Sequence, residues 1–391
     1  MTRRAEPNAA PHVLIAMDKF KGSLTAAEVS ECLKRGIQSV WADASISVVP
    51  MADGGEGTLD IALRSGYARH SVEVHGPDGE LRNASLATCG DHAVLESASS
   101  SGLQHLGARL LPLTATSRGL GDLVRAALDT GSSKILVGLG GSASTDGGTG
   151  MLSALGVRFL DSEGAELIDG GGDLARLNRV DLTTLDDRVS STQFTIACDV
   201  DYPLLGDNGA AAVFGAQKGA TSEEIERLEV GLTRLDEVLR STPDVGPTAT
   251  TPGAGSAGGL GYAFLSVLGA HRRRGVDAMI ELAGLETQMH KADLVIVGEG
   301  SLDEQSLQGK APIGISRLAT SKGIPVIAVS GRNSLDAAQM SAAGFWTHLT
   351  MSDLEPDLDR SIKNAGSLAE QLGSRIGEYL LADSFSTRRF R

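Results

Sequence analysis

Hydrophobic and polar positions predict strands and helices in turn at both ends of the chain. Five consecutive apolar residues from Val13 to Met17 predict a buried strand. Thr25 and Glu28 have the spacing of a capping box and predict a helix that reaches about Val40, before a second strand over residues 46–49. Toward the other end, strands are predicted over 293–297 and 325–329, and helices over 312–321 and 367–381. This alternation is typical of a parallel sheet.

The middle of the chain has a different pattern, in which short alternating segments are separated by turn residues. Residues 71–75 alternate and lead into the turn Gly76–Gly79, after which a second alternating segment follows. Residues 157–160 and 166–168 flank another turn in the same way. Such pairs are typical of β-hairpins, so the middle is expected to contain antiparallel strands.

These patterns predict an α/β protein with two domains. Residues 1–70 and 285–391 are expected to form a discontinuous, Rossmann-like doubly wound domain, and residues 71–284 an inserted mixed α/β domain with antiparallel hairpins. The length of 391 residues favours two domains, since single cores seldom grow beyond about 250–300 residues. The chain would cross twice between these domains, which predicts a ligand-binding cleft. Residues 1–10 are expected to form a disordered tail.

Composition and charge narrow the classes of function. The chain has 49 glycines and 12 prolines, and the glycines fall in short clusters typical of loops where backbone approaches a ligand. A net charge of −14 and an aromatic content of 4% argue against a nucleic-acid partner. No secretory signal or membrane-spanning segment is apparent, and three scattered cysteines do not suggest a disulfide framework. A cytoplasmic location without membrane association is therefore expected.

The strongest local signal is a glycine-rich loop that follows a predicted strand. Gly140, Gly141 and Gly147 would let backbone N–H groups converge on an anion at the start of a helix. Ser142 adds a hydroxyl, and Asp146 offers a carboxylate that could hold a cation. The alternative interpretation is a tight turn packed against a neighbouring strand.

A second glycine cluster, residues 252–261, contains the formal pattern G-x-G-x-x-G from Gly253 to Gly258. The dinucleotide-binding fingerprint requires a strand directly before the first glycine, and here a loop rich in Pro and Thr precedes it. This argues against NAD. The cluster is interpreted either as a helix N terminus that receives an anion or as a flexible helix start.

A third cluster, residues 297–310, places acidic side chains and a lysine after a predicted strand. Glu299 or Asp303 could bind Mg²⁺, and Lys310 could hold a phosphate. The segment is not a Walker A loop, because Ala311 follows the lysine where Ser or Thr is required. The alternative is a solvated acidic loop with a surface lysine.

Two clusters near the amino terminus also follow predicted strands. Lys21 stands beside a helix N terminus and could clamp a carboxylate or phosphate, although a surface lysine is the alternative. Asp53 and Glu56 flank a turn made by Gly54 and Gly55, which suits Mg²⁺ or a substrate hydroxyl. An acidic helix cap is the other interpretation of this turn.

Three further charged residues are candidates with open alternatives. Asp199 is a possible general base or metal ligand, or else a carboxylate in a turn at a strand end. Lys218 is a possible phosphate partner or a loop lysine. The run His271–Arg274 is most simply a solvated helix end, from which Arg273 could bind a substrate carboxylate. The sequence has no H-E-x-x-H pattern and no G-x-S-x-G nucleophile elbow.

Together and in this order, these clusters resemble the type-1 glycerate kinase family from about Val13 to about Ser330. The matching segments are residues 18–24, 50–58, 138–150, 197–201, 208–219, 252–261 and 298–310. The resemblance implies ATP-dependent phosphorylation of D-glycerate and two α/β domains, one of them Rossmann-like and discontinuous. Lys19, Thr145 and Tyr202 stand where serine, asparagine and asparagine are more usual in that family, which could tune the substrate pocket.

For this activity we hypothesise direct in-line phosphoryl transfer, in which Mg²⁺ bridges the phosphates of ATP. The candidate carboxylate ligands of Mg²⁺ are Asp53, Glu56, Glu299 and Asp303. The lysines that would balance charge on the transferred group are Lys21, Lys218 and Lys310. Asp199 would accept the hydroxyl proton or orient the glycerate, whose carboxylate Arg273 would bind. The expected product is 2-phosphoglycerate rather than 3-phosphoglycerate.

Three other functions stay open at this point. One is an ATP-dependent kinase for a related sugar acid. The others are a nicotinamide-dependent oxidoreductase built on Gly253–Gly258 and a metabolite sensor without turnover. The oligomeric state also stays open, with a homodimer as one expectation.

Overall fold

The computed structural model describes residues 11–243, 245–246 and 248–382. Its contacts divide the chain into two compact units: Met1–Asp53 with Met279–Arg391, and Gly54–Ala278. The tail expected over residues 1–10 lies outside the described residues. The prediction of a mixed α/β fold with parallel strands is confirmed.

The strands and helices are numbered in chain order. The strands are β1 (His12–Met17), β2 (Ser45–Val48), β3 (Ala68–His75), β4 (Leu81–Cys89), β5 (His92–Glu96), β6 (Lys134–Gly138), β7 (Arg158–Leu160), β8 (Arg179–Asp181), β9 (Gln193–Ala197), β10 (His271–Arg273), β11 (Leu294–Leu302), β12 (Val326–Asn333) and β13 (Thr347–Thr350). The helices are α1 (Ala26–Val40), α2 (Thr58–Arg64), α3 (Ser97–Ser101), α4 (Arg118–Asp129), α5 (Thr149–Ala154), α6 (Ala210–Phe214), α7 (Ser222–Arg240), α8 (Ser256–Ser266), α9 (Gly275–Leu282), α10 (Leu285–Met289), α11 (Glu304–Leu307), α12 (Ala311–Ser321), α13 (Ala337–Ala342), α14 (Leu358–Lys363) and α15 (Ala365–Ala382). Among these helices, none has both the length and the apolar character needed to cross a membrane.

The first unit is built on a five-stranded sheet in the order β13-β12-β11-β1-β2, and every neighbouring pair is parallel. The predicted capping box at α1 is present, because the Glu28 amide donates to Thr25 Oγ1 and the Thr25 amide donates to Glu28 Oε2. α1 packs closely on α15 at Gly36, where an added Cβ would lie 2.0 Å from the carbonyl oxygen of Glu370. The glycine therefore allows the two helices to cover one face of the sheet together.

The second unit is built on a six-stranded sheet in the order β10-β9-β6-β5-β4-β3. The strands β10, β9, β6 and β5 are parallel, whereas β3, β4 and β5 pair antiparallel. The hairpin predicted at Gly76–Gly79 is confirmed, since it joins β3 to β4. α2 packs against β4 and β5 of this unit, although the sequence grouped residues 1–70 together.

The hairpin predicted over residues 157–168 forms only in part. Its turn is closed by one isolated bridge between Leu160 and Glu166. The antiparallel strand partner of β7 is β8, which lies further along the chain. Ile168 at the end of the predicted second arm is 74% exposed, and of residues 166–168 Leu167 alone packs against the core.

Candidate functional site

The two units divide the candidate residues between them. Those in the first unit are Lys21, Asp53, Glu299, Asp303 and Lys310. Those in the second unit are Gly54, Gly55, Glu56, Gly140, Gly141, Ser142, Asp146, Gly147, Asp199, Lys218 and Arg273. Each group is described within its own unit.

In the first unit, polar residues replace apolar ones toward the carboxyl ends of the three central strands. Met17 of β1 is in register with Gly298 of β11, and Asp18, the next residue, donates its amide to the Gly298 carbonyl at 2.8 Å. Glu299 of β11 is in register with Ser330 of β12. Residues in register on neighbouring strands face the same side of a sheet. Asp18, Glu299 and Ser330 therefore form one row across β1, β11 and β12.

Burial and like charge perturb the acids of this row. Asp18 is 5% exposed and its Oδ1 accepts the Lys19 amide at 2.6 Å. Burial, and then the neighbouring Asp53 carboxylate, raise the pKa of Asp18 to about 8. Burial also raises the pKa of Glu299, and the Lys310 ammonium opposes that rise. The Lys310 Nζ lies 3.7 Å from Glu299 Oε2, so the structure brings these two predicted residues together.

The other two candidates of the first unit have different surroundings. Asp303 caps α11, because its Oδ1 accepts the amides of Gln305 at 2.9 Å and Ser306 at 3.1 Å. Lys21 has an exposed side chain in the turn after β1. Its backbone runs close to β11, since a Cβ added to Gly300 would lie 3.3 Å from the Lys21 nitrogen.

In the second unit, four parallel strands end at one level. Glu96 of β5 is in register with Gly138 of β6, which is in register with Ala197 of β9. Ala197 is in turn in register with Arg273 of β10. The segments that follow these strands therefore meet at the same sheet edge, where ligands bind in open α/β sheets.

Asp199 and Arg273 are brought to this edge by neighbouring strands. Asp199 Oδ1 accepts the Gly275 amide at 2.7 Å, which holds the carboxylate at the start of α9. Arg273 ends β10, and its carbonyl accepts the Cys198 amide at 3.1 Å. The sequence interpretation of residues 271–274 as a helix end is therefore wrong. A three-residue charged edge strand carries no hydrophobic pattern that could have revealed it.

The turn predicted around Gly54 and Gly55 packs against this same edge. A Cβ on Gly54 would lie 2.5 Å from the Gly275 Cα, and the φ of Gly54 is +86°. A Cβ on Gly140 would lie 3.0 Å from the Gly55 Cα. Both glycines thus permit close approach between backbone segments, and the predicted approach to a ligand stays a prediction. The Glu56 side chain is exposed.

Glu96 is a residue of this edge that the sequence did not single out. It is buried, and its Oε2 accepts the amides of Gly57 at 3.0 Å and Leu59 at 3.2 Å. The carboxylate thereby caps the N terminus of α2 and fixes the preceding glycine turn. The next residue, Ser97, exchanges hydrogen bonds with the Gly140 backbone. The available signal was an acidic residue directly after the apolar run of a strand.

Lys218 is buried beneath the glycine-rich loop. It is 4% exposed, and its Nζ donates to Ser142 Oγ at 3.1 Å and to the Ser144 carbonyl at 2.5 Å. Burial lowers the pKa of Lys218 to about 8, and the Asp146 carboxylate opposes the shift. Ser144 Oγ is buried without a hydrogen-bond partner among the described residues. The hydrogen bonds of this ammonium thus go to neutral oxygens, which leaves its charge available to an anion.

Asp146 fixes the glycine-rich loop from inside. Its Oδ2 accepts the Ser117 amide at 2.9 Å, Ser117 Oγ at 2.7 Å and the Gly150 amide at 3.2 Å. Its Oδ1 accepts the Gly148 amide at 3.0 Å. Burial raises the pKa of Asp146, and the hydrogen bonds from Ser117 oppose the rise. Four donors engage this carboxylate, so its role in the structure is to hold the loop.

The second glycine cluster closes over the first. Ala257, Gly258 and Gly259 have φ values of 52°, 73° and 91° and interrupt α8 near its start. The Gly147 amide donates to the Gly258 carbonyl at 3.0 Å. A Cβ on Gly258 would lie 2.0 Å from the Ser144 carbonyl oxygen, so only glycine allows this approach. Turns precede α8, which removes the context that a dinucleotide fingerprint requires.

No group of three or more His, Cys, Asp or Glu side chains that could hold a metal ion occurs in the part of the chain that the structure describes. The predicted ligands Glu56, Glu299 and Asp303 are not part of such a group. Mg²⁺ commonly takes only one or two carboxylates and completes its shell with water and substrate phosphates. A magnesium site completed by a nucleotide is compatible with these residues.

Comparison with known proteins finds a matching family model and similar sequences. A model of the glycerate kinase family matches residues 13–381. A protein of Escherichia coli (strain K12) named glycerate 2-kinase is 40% identical over 358 residues, which cover 90% of this chain and 93% of that protein. A glycerate kinase of Bacillus subtilis (strain 168) is 42% identical over 330 residues, which cover 83% of this chain and 86% of the relative.

A solved structure is similar over almost the whole length. The crystal structure of a protein from Salmonella typhimurium LT2, described as a proposed glycerate kinase 2, matches with a TM-score of 0.82 and 38% sequence identity. The match covers 96% of this chain and 100% of that chain.

Proposed function

Because this chain belongs to the glycerate kinase family, we propose that it transfers the terminal phosphoryl group of ATP to the 2-hydroxyl of D-glycerate, giving 2-phosphoglycerate and ADP. The bond from the terminal phosphorus to the β,γ-bridging oxygen breaks, a bond to the glycerate oxygen forms, and the hydroxyl proton is released. Position 2 is favoured because the relative from Escherichia coli, 40% identical, is named glycerate 2-kinase.

The observation that carries the proposal is the buried ammonium of Lys218 at the glycine-rich loop. Phosphoryl transfer depends mainly on positioning and on neutralising charge in a site with little water. Lys218 is held by Ser142 Oγ and the Ser144 carbonyl, so it is already oriented before an anion arrives. We assign to this site an anionic oxygen, either of the nucleotide phosphates or of the substrate.

The sheet edge of the second unit suits a small hydroxy acid. Arg273 supplies a guanidinium for the carboxylate, with the planar fork that carboxylates prefer. Asp199 accepts the hydroxyl proton or orients the glycerate, and the Gly275 amide on its Oδ1 sets the direction of the carboxylate. Arg273 ends β10 and Asp199 lies two residues after β9, and these parallel strands end in register, which gives both residues a rigid support.

The first unit carries further charged candidates. Lys310 and Lys21 balance negative charge on the phosphates. Mg²⁺, when bound, would neutralise the nucleotide phosphates as a Lewis acid. The carboxylates of Asp53 and Glu299 are its candidate ligands in this unit. Because an ATP-dependent kinase acts where ATP is supplied, we retain the cytoplasmic expectation.

The test is ADP release by the purified chain with ATP, Mg²⁺ and a panel of acids. D-glycerate should give turnover, whereas L-glycerate and larger sugar acids should give much less. Lys218→Met should lower kcat/KM for D-glycerate by roughly 100-fold, the usual cost of one lost charge-stabilising donor. Lys134→Met, at a surface lysine of the same unit, is the matched control and should leave the rate unchanged.

Two results would count against the proposal. Turnover of another hydroxy acid with D-glycerate inert would assign the site to a different substrate. Binding of ATP and D-glycerate without release of ADP would indicate a metabolite sensor.

A further inference from the structure

The row of Asp18, Glu299 and Ser330 marks an abrupt change on one face of the first unit's sheet. Two residues earlier on each strand, Ala16, Val297 and Ala328 are in register and fully or almost fully buried. The same face thus runs from a purely apolar row to two acids and a hydroxyl. Burying such groups on an apolar sheet face costs free energy unless partners satisfy each of their oxygen atoms.

Two oxygen atoms of the row lack a partner. Glu299 Oε1 and Ser330 Oγ are buried and have no hydrogen-bond partner among the described residues. Ser330 is 0% exposed and Glu299 is 8% exposed. An unsatisfied buried polar atom costs about 1–3 kcal/mol, so two such atoms in neighbouring register positions point to a common ligand.

The chemistry of the row indicates a hard cation. Two carboxylates and a hydroxyl offer only oxygen atoms, the ligands that Mg²⁺ prefers. Lys310 Nζ lies 3.7 Å from Glu299 Oε2, and Lys310 also stands at the N-terminal end of α12. Anionic phosphates are stabilised at such a position. A cation held by the row would therefore lie beside a place suited to phosphate oxygens.

Two other carboxylates that the sequence suggested as Mg²⁺ ligands, Asp303 and Glu56, have different surroundings. Asp303 Oδ1 is taken by the amides that begin α11, and Glu56 has an exposed side chain. We propose that Asp18 and Glu299, with Ser330 beside them, hold the divalent cation that accompanies the nucleotide, and that Asp303 and Glu56 do not. This inference deepens the proposed function and rests on it.

The test measures cation binding rather than activity. Mn²⁺, which also takes oxygen ligands, is titrated into the full-length chain with and without ADP, and free Mn²⁺ is counted by electron paramagnetic resonance. Asp18→Asn and Glu299→Gln keep the side-chain volume and should weaken Mn²⁺ binding by at least about 10-fold. Ser330→Ala should weaken it by roughly threefold.

Two control variants separate this site from its surroundings. Asp303→Asn retains a capping oxygen, and Glu304→Gln alters an exposed neighbour, so neither should change Mn²⁺ affinity. Circular dichroism of each variant shows whether it is folded. Wild-type affinity in both Asp18→Asn and Glu299→Gln would overturn the inference, as would weaker binding in Asp303→Asn.

The outcome can be separated from that of the proposed function. ADP release from ATP and D-glycerate is measured on the same wild-type preparation. Turnover combined with unaltered Mn²⁺ affinity in the Asp18 and Glu299 variants would reject the cation row alone. Absence of turnover would reject the kinase proposal, while the titration without ADP would still decide whether the row binds a cation.

Discussion

Replacing Asp146 by asparagine would test how the glycine-rich loop is held in shape. The carboxylate is fully buried and accepts hydrogen bonds from Ser117, Gly148 and Gly150. Asparagine has the same shape but replaces one oxygen by an NH₂ donor. The amide oxygen of asparagine can keep the three bonds that Oδ2 accepts. The NH₂ group then faces the Gly148 amide, and because both groups are donors, the hydrogen bond from Gly148 is lost.

The expected cost follows from these bonds. A buried donor left without its partner costs about 1–3 kcal/mol, and bonds to a charged acceptor lose about half their strength when the charge is removed. Relief from burying the charge offsets part of this loss. We therefore expect Asp146→Asn to lower the local stability around the loop by about 2–4 kcal/mol.

Hydrogen exchange measured by mass spectrometry reports the local stability of the glycine-rich loop. The amides of Gly148 and Gly150 should exchange roughly 30- to 700-fold faster in Asp146→Asn, since 1.4 kcal/mol corresponds to a factor of ten. Asp60→Asn, whose carboxylate is 76% exposed, is the matched control and should not change exchange. Exchange of the loop amides within about threefold of wild type in Asp146→Asn would refute this reasoning.

Two further predictions concern pH and helix packing. Because burial holds the pKa of Lys218 near 8 in the folded chain and 10.5 is its usual value, the folded state binds fewer protons between these limits. The free energy of unfolding, measured in urea, should therefore rise by about 3 kcal/mol from pH 8 to 10.5. The rate of ADP release should fall over the same range as the ammonium is lost. A Lys218→Met chain that still shows both trends would contradict this prediction. Gly36→Ala should lower the unfolding free energy by about 1–3 kcal/mol, because its methyl would meet the Glu370 carbonyl at 2.0 Å. Gly246→Ala, where an added Cβ meets nothing within 4 Å, is the control for melting temperature, and equal losses in both variants would speak against the packing argument.

Local signals accounted for much of the fold. The run Val13–Met17 predicted β1 because a strand buried on both faces is continuously apolar. The capping box at Thr25 located the start of α1, since cap and helix are neighbours in sequence. Seven short segments in order predicted the family, and the family match over residues 13–381 confirms it.

Features that depend on strand register were not predictable in this way. Asp18 is part of a row only because β11 lies beside β1, and the burial of Glu96 depends on the loop before α2 returning to β5. β10 was not predicted as a strand because a short edge strand of charged residues has the same sequence pattern as a solvated helix end. The hydrogen-bonding role of Asp146 likewise depends on Ser117, 29 positions earlier.

The most direct measurement is two-dimensional ¹H–³¹P correlation of the product formed from ATP, Mg²⁺ and D-glycerate. Transfer to the 2-hydroxyl should give a new phosphate ester whose phosphorus correlates with the single proton on carbon 2 of glycerate. Correlation with the two protons on carbon 3 would contradict the assigned position. Inorganic phosphate with unmodified glycerate would contradict phosphoryl transfer itself.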